Sequence, residues 1–264
     1  MSYQVTESMT SSEDKVIIIT GGSRGIGAAT ARLAGQRGYA VCISYLQNSE
    51  AAQTVVDSIQ SRDGRAIAVQ ADISEENDVI RLFQTAEREL GPITALVNNA
   101  GILERQMRLE EMDAARLNRI FRTNITGAFL CAREAVRRMS TKNGGKGGAL
   151  VNVSSGASRL GSPGEYIDYA ASKGAMDTMT IGLAKEVAME GIRVNAVRPG
   201  FIYTDIHASG GEPDRIERVK AFVPMRRGGQ PEEVAHTILW LLSDEASYTT
   251  GSFIDVTGGK SLRI

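Results

Sequence analysis

A short apolar run that ends in a glycine-rich turn and opens into a helix constrains this chain more than any other stretch. Residues 15–20 (KVIIIT) are continuous, β-branched and followed at once by glycine, which predicts a strand buried on both faces of a parallel sheet. Gly21-Gly22-Ser23-Arg24-Gly25-Ile26-Gly27 comes next, and residues 28–37 read as a helix. Parallel neighbours need a crossover connection, so this opening already demands a sheet covered by helices. Glycines in such a turn let the backbone approach a pyrophosphate, while the helix start offers free N–H groups and a positive dipole end. The spacing is Gly-x3-Gly-x-Gly rather than Gly-x-Gly-x2-Gly. A plain glycine turn would look the same in isolation, so the rest of the chain has to decide.

The rest repeats the alternation. Strands are expected at residues 39–45, 66–70, 95–97, 149–153, 192–197 and 252–256. Helices are expected at 49–61 with Ser49 as N-cap, at 75–90 with Asp72 or Ser74 as a possible cap, and at 231–244 with Pro231 in the first turn. A long helix is expected over about 110–140, with a local distortion at Asn124, a poor helix former beside Thr123 and Gly127. Another helix carries residues 169–189 and is apolar on more than one side, which suggests a partner subunit as well as the sheet. Residues 143–148 read as a flexible loop, and 201–227, charged and weakly patterned, as a lid or a disordered loop. The fold class is therefore α/β: a single doubly wound, Rossmann-type parallel sheet of about seven strands over residues 15–264, preceded by a short disordered lead-in at 1–14.

Two positions bear on which ligand such a sheet would take. In a dinucleotide fold the end of the second strand faces the adenosine ribose, where an acid would bind both hydroxyls. Here Ser44-Tyr45-Leu46-Gln47-Asn48 holds none, which permits a 2′-phosphate and so NADP. Arg24, in the glycine turn, is the candidate for the matching positive charge, although a solvated loop arginine is the bland alternative. After the fourth strand comes Asn98-Asn99-Ala100-Gly101, polar amides and a glycine where open α/β sheets bind ligands.

Composition excludes more than it proposes. A net charge of -1 over 264 residues gives no sign of a nucleic-acid or anionic-membrane surface. No apolar run approaches the roughly 20 residues of a membrane span, and the polar start lacks the pattern of a signal peptide. Cys42 and Cys131 sit among apolar neighbours, too few for a disulfide framework, and fit a reducing, cytoplasmic setting. His207 and His236 have no ligand-like spacing, so no metal site is expected.

The chemical centre is Tyr169-Ala170-Ala171-Ser172-Lys173. On a helix, Tyr169 and Lys173 share one face. A phenol has a reference pKa near 10, and an adjacent ammonium lowers it, so the pair can transfer a proton near neutrality. A surface tyrosine and lysine would share that spacing, and the surrounding motifs carry the decision.

With the turn at residues 20–27 (TGGSRGIG), Asp72, the run at 98–101 (NNAG), Asn124, Ser155, the run at 169–173 (YAASK) and Pro199-Gly200, all in order, the chain resembles the short-chain dehydrogenases/reductases from residue 15 to 259. Within them it is similar to the glucose dehydrogenase and 3-oxoacyl-carrier-protein reductase branches. The resemblance implies a homotetrameric oxidoreductase moving hydride between NADP, or NAD, and a small-molecule carbonyl or alcohol. It implies Tyr169 as general acid/base, Lys173 lowering its pKa and binding the nicotinamide ribose, Ser155 holding the substrate oxygen with Ser154 as rival, and Asn124 anchoring a water beside Lys173. Gly21, Ser23, Arg24, Gly25, Ile26, Gly27, Tyr45, Asp72, Ile73, Asn98, Ala100, Gly101, Pro199, Gly200, Ile202 and Thr204 would hold the cofactor. The span from Ser155 to Tyr169 is one residue longer than in many members. Arg105, Arg108 and Arg138 would be the basic groups for an acyl-carrier partner, and His207 a candidate substrate contact or a solvated lid residue. A non-catalytic cofactor sensor on the same fold would be expected to have a damaged Asn-Ser-Tyr-Lys set, and all four residues are present here.

Overall fold

The computed structural model describes residues 15–260, so the lead-in expected at 1–14 and the last four residues lie outside it. Seven parallel strands form one sheet in the order β3-β2-β1-β4-β5-β6-β7. They are β1 (Val16–Ile19), β2 (Ala40–Tyr45), β3 (Ala66–Gln70), β4 (Ile93–Asn98), β5 (Gly148–Val153), β6 (Ile192–Pro199) and β7 (Phe253–Val256). The order in which successive strands are added switches sides between β1 and β4, and the crevice at that switch is where such sheets bind ligands.

The helices are α1 (Gly25–Gln36), α2 (Ser49–Gln60), α3 (Glu76–Leu90), α4 (Ala114–Phe121), α5 (Ala128–Met139), α6 (Ala157–Leu160), α7 (Ile167–Val187), α8 (Ile206–Ser209), α9 (Arg215–Val219) and α10 (Pro231–Leu242). β1 shows how the layers form. Val16 and Ile18 face a core shared with α3, α5 and α7, while Ile17 and Ile19 face one shared with α1, α2 and α10. A two-residue period with apolar residues at every position buries both faces.

Several local expectations shift. The long helix over 110–140 is two helices joined by a wide turn of π type at Arg122–Gly127, with Asn124 inside it. Gly127 explains part of the geometry: a Cβ there would come within 2.9 Å of Ile73, so the turn packs against the end of β3. The N-cap of α2 is Asn48, whose side chain accepts from Ala51 N at 2.9 Å, and not Ser49. Neither Asp72 nor Ser74 caps α3; Asp72 accepts from Ser74 N in a tight turn, and Asp78 accepts from Asp72 N. The 143–148 stretch is a packed turn rather than a flexible loop. Its glycine N–H groups donate to Ser140, Met139 and Gly191 carbonyls, and a Cβ on Gly147 would meet Gly191 O at 2.5 Å. Residues 201–227 are an ordered cover built on α8 and α9, with Ile216, Val219 and Val223 buried beneath. Sequence missed this because the two helices have only four and five residues, too short for a period to show.

Candidate active site

A cleft of about 1160 Å³ runs across the C-terminal ends of the strands. Its floor at one end is the glycine turn. Gly21 and Gly25 adopt φ values of +63° and +54°, the left-handed region that glycine enters without strain. A Cβ on Gly21 would touch Ala100 Cα at 3.0 Å. Three polar side chains hold the turn. Ser44 Oγ accepts from Gly21 N, Thr20 Oγ1 accepts from Asn99 N and Ala100 N, and Asn99 Nδ2 donates to the Thr20 and Gly21 carbonyls. Arg24, the N-cap of α1, makes no side-chain cap, so no protein side chain at the cap takes the N–H groups of the first turn. An open, glycine-lined cradle at a helix start suits a pyrophosphate, and the residues present fit a dinucleotide.

Seventeen of the twenty predicted site residues line this cleft: Gly21, Ser23, Arg24, Gly25, Ile26, Tyr45, Asp72, Ile73, Ala100, Gly101, Ser155, Tyr169, Lys173, Pro199, Gly200, Ile202 and Thr204. Three do not. Asn98 is buried, and its amide donates to Ala128 O and Asn152 Oδ1, pinning α5 to the sheet. In a strand successive side chains alternate, so Asn98 turns away from the face that Asn99 and Ala100 reach beyond the strand end. Gly27 packs under the turn, where a Cβ would overlap the Gly21 carbonyl and lie 2.6 Å from Asn99 Nδ2. Asn124 stands behind the wall. Its amide exchanges two hydrogen bonds with the Ile102 backbone and donates a third to Ser172 Oγ.

Ser155, Tyr169 and Lys173 meet where β5 ends. Ser155 Oγ accepts from Ala157 N at 3.1 Å, which fixes its rotamer at the start of α6. Ser154 is no rival, because it is buried and donates to Asp177 Oδ1 at 2.6 Å. Lys173 Nζ donates to Val153 O at 2.8 Å and sits 5.5 Å from the Tyr169 ring centre. It is also the atom a Cβ on Gly101 would approach at 3.5 Å. Burial pushes the Tyr169 phenol up to about 12, against the pull of the Ser155 hydroxyl toward the phenolate. Part of the Tyr169 residue stays open to the cleft, so this burial is that of the hydroxyl end. Burial likewise pushes Lys173 down to about 8, against the attraction of Asp177. The downward shift of Tyr169 expected from its spacing to Lys173 is not found; burial raises it instead. Desolvation penalises the phenolate and the ammonium alike, and both groups lean toward their neutral forms.

These shifts act on stability in opposite directions. Between pH 8 and 10.5 the unfolded chain holds a proton on Lys173 that the folded chain has released, so stability rises with pH there. Above pH 10 the folded chain keeps the Tyr169 proton that the unfolded chain loses, so stability falls toward pH 12. A Lys173→Met variant is expected to melt several degrees above wild type at pH 7, by about 2–4 °C per kcal/mol recovered, with the gap closing toward pH 10. A melting series in which the gap stays constant over that range would refute the assignment.

The substrate end holds groups that sequence undervalued. His207 is 9% exposed rather than a solvated lid residue, with Nε2 bonded to Ile202 O at 3.1 Å; burial lowers its pKa. A carbonyl can only accept, so Nε2 carries the proton. Arg215 is buried, ion-paired to Glu165 and Glu212, and lies over the Tyr166 ring at 5.0 Å. Tyr166 donates to Gly210 O, which ties the cover to the lead-in of α7. Among the described residues no group of three His, Cys, Asp or Glu side chains could hold a metal ion, and no helix is long and apolar enough to cross a membrane.

With this geometry in hand, comparison with known proteins is decisive. A family model described as enoyl-(acyl carrier protein) reductase matches residues 21–261. The chain belongs to the short-chain dehydrogenase/reductase family. It is 63% identical over 245 residues, 93% of this chain and 99% of the relative, to the uncharacterized oxidoreductase YgfF of Escherichia coli K12. It is 41% identical to a 3-oxoacyl-[acyl-carrier-protein] reductase of Synechocystis, covering 95% of this chain and 98% of that one. A short-chain dehydrogenase of Burkholderia cenocepacia solved with NADP superposes with a TM-score of 0.85 at 30% identity, over 94% of this chain and 98% of that one. As a member of this family the protein is an oxidoreductase acting on CH–OH or C=O groups.

Proposed function

We propose that this short-chain dehydrogenase/reductase is an NADPH-preferring carbonyl reductase that runs the reverse oxidation with NADP. The observation that carries the reading is the meeting of Ser155, Tyr169 and Lys173 at one end of a cleft whose other end is a glycine cradle without a carboxylate at the end of β2. The glycine turn, Tyr45, Asp72, Ile73 and residues 199–204 would hold the cofactor, which supplies the hydride when bound. Ser155 and Tyr169 would hold the substrate oxygen through their hydroxyls. Tyr169, kept neutral by burial, is in the form that donates. Its proton goes to the oxygen as negative charge develops there. Lys173, fixed by Val153 O, stabilises the phenolate left behind.

The test is NADPH and NADH oxidation against ketones, aldehydes, quinones, sugar lactones and a 3-oxoacyl thioester, with sugars plus NADP or NAD in the reverse direction. Turnover with one class and with NADPH over NADH is the expected result. Binding of both cofactors without turnover on any class would sink the reductase reading and favour a cofactor sensor.

Cofactor choice rests on Arg24, which is exposed at the cleft and forms no ion pair among the described residues. Arg24→Ala is expected to weaken NADPH binding about tenfold or more, the worth of a charge-assisted hydrogen bond, and to leave NADH unchanged. Equal losses for both cofactors in a fluorescence titration would assign Arg24 no part in the discrimination.

An acyl-carrier substrate is the weaker reading. Arg138 is ion-paired to Glu87 and Glu134, and Arg108 to Glu110, so two of the three candidate basic groups are already matched. The oligomer is a tetramer of this chain in the same proposal. The outer side of α7 leaves Ala171, Thr178 and Ile181 exposed, and Phe129 of α5 is 49% exposed. Sedimentation at micromolar concentration showing only monomer would reject it.

A further inference from the structure

We propose that Arg116 and Asp168, neither of which lines the cleft, are positioning residues for Tyr169 and for the wall of the substrate pocket. The inference rests on the reductase reading for its kinetic part alone. The two residues are 52 apart in sequence, both buried, at 3% and 2% exposure. Arg116 Nε donates to Asp168 Oδ2 at 2.6 Å, and Nη2 to Oδ1 at 3.4 Å. Asp168 lies in the first turn of α7, and its Oδ1 also accepts from Tyr169 N at 2.8 Å. That N–H is one of the orphan donors of a helix start, so the carboxylate fixes the backbone of the proton donor itself. The third branch of the guanidinium, Nη1, donates to Arg105 O at 2.6 Å.

Arg105 belongs to the segment 101–108, which begins in the cleft wall at Gly101, Ile102 and Leu103. Asn124 clamps that segment at Ile102, and Arg116 clamps it three residues further on. One planar fork thus joins α4, the pocket wall and the turn that bears Tyr169. Stability does not account for the arrangement. A buried ion pair generally adds little over apolar side chains of the same volume, whereas a fixed geometry for a proton donor is worth much to a reaction.

The test compares wild type with the double variant Arg116→Met/Asp168→Leu, which removes both charges together. Melting temperature, NADPH affinity, hydrogen exchange over 101–108 and 167–171, and kcat and KM on the substrate found above are measured. The expected result is a melting temperature within a few degrees of wild type, NADPH affinity within twofold, exchange in 101–108 at least about tenfold faster, and kcat about 10- to 100-fold lower, the scale of a roughly 1 Å misplacement. Wild-type exchange and kcat in a variant that melts like wild type would overturn the proposal. If the double variant does not fold, Asp168→Asn serves. Asp168 makes no hydrogen bond to 101–108. Faster exchange there in Asp168→Asn supports the coupling through Arg116, and unchanged exchange there overturns it. Exchange needs no substrate, so a wild type without turnover would sink the reductase reading and leave this test standing.

Discussion

Tyr169→Phe is expected to lose about 10³-fold in kcat while binding NADPH within threefold of wild type. Burial holds the Tyr169 hydroxyl in its neutral, donating form beside Ser155, and in the proposed reaction its loss removes the proton source rather than a binding surface. General acid catalysis is worth about 10²–10⁴-fold, and orientation of the substrate oxygen by the same hydroxyl puts the effect in the upper part of that range. The fold should be indifferent, because phenylalanine keeps the ring and sheds a buried hydroxyl. A variant with kcat within tenfold of wild type would mean that another group supplies the proton. Ser155→Ala separates the two hydroxyls: it should also reduce kcat, with the pH profile still governed by Tyr169.

Gly27→Ala is expected to lower both stability and cofactor affinity. The added Cβ would overlap the Gly21 carbonyl and the Asn99 amide, both parts of the cradle, and the first is backbone that cannot rotate aside. Asn99 Nδ2 is itself bonded to the Thr20 and Gly21 carbonyls, so displacing it loosens the turn from a second side. Overpacking of this kind costs about 1–3 kcal/mol, or about 2–12 °C in melting temperature for a domain of this size. NADPH affinity should fall tenfold or more, because the turn proposed to receive the pyrophosphate has moved. Gly174→Ala is the control. Nothing lies within 4 Å of a Cβ there and the site is inside α7, so it should leave NADPH affinity unchanged and the melting temperature equal or slightly raised. A Gly27→Ala protein that melts and binds NADPH like wild type would show that the turn can yield.

Much of the site was legible because its residues sit at fixed distances from strand ends. Gly200 follows β6 directly, Gly21 and Ser155 stand just past the ends of β1 and β5, Gly25 opens the helix after β1, and a parallel sheet gathers all strand ends on one edge. Tyr169 and Lys173 were legible as a helical pair. Asn98 and Gly27 were placed in the site through their neighbours, and the structure moves both beneath it. Membership of a motif does not say which way a side chain points, and one residue along a strand reverses the face.

The sequence by itself determined the strands, their alternation with helices, the parallel sheet and the Tyr169–Lys173 pair on one helical face. These are local properties: apolar period, glycine at turns, an i,i+4 pair. Tertiary structure alone decided what lies far apart in the chain. It set the direction of the Tyr169 and Lys173 shifts, since burial depends on everything packed around a group. It resolved Ser155 from Ser154 through the bond of Ser154 to Asp177. It also joined Arg116 to Asp168 across 52 residues, a pairing with no period or spacing to announce it, because a buried ion pair is made by packing and not by sequence neighbours.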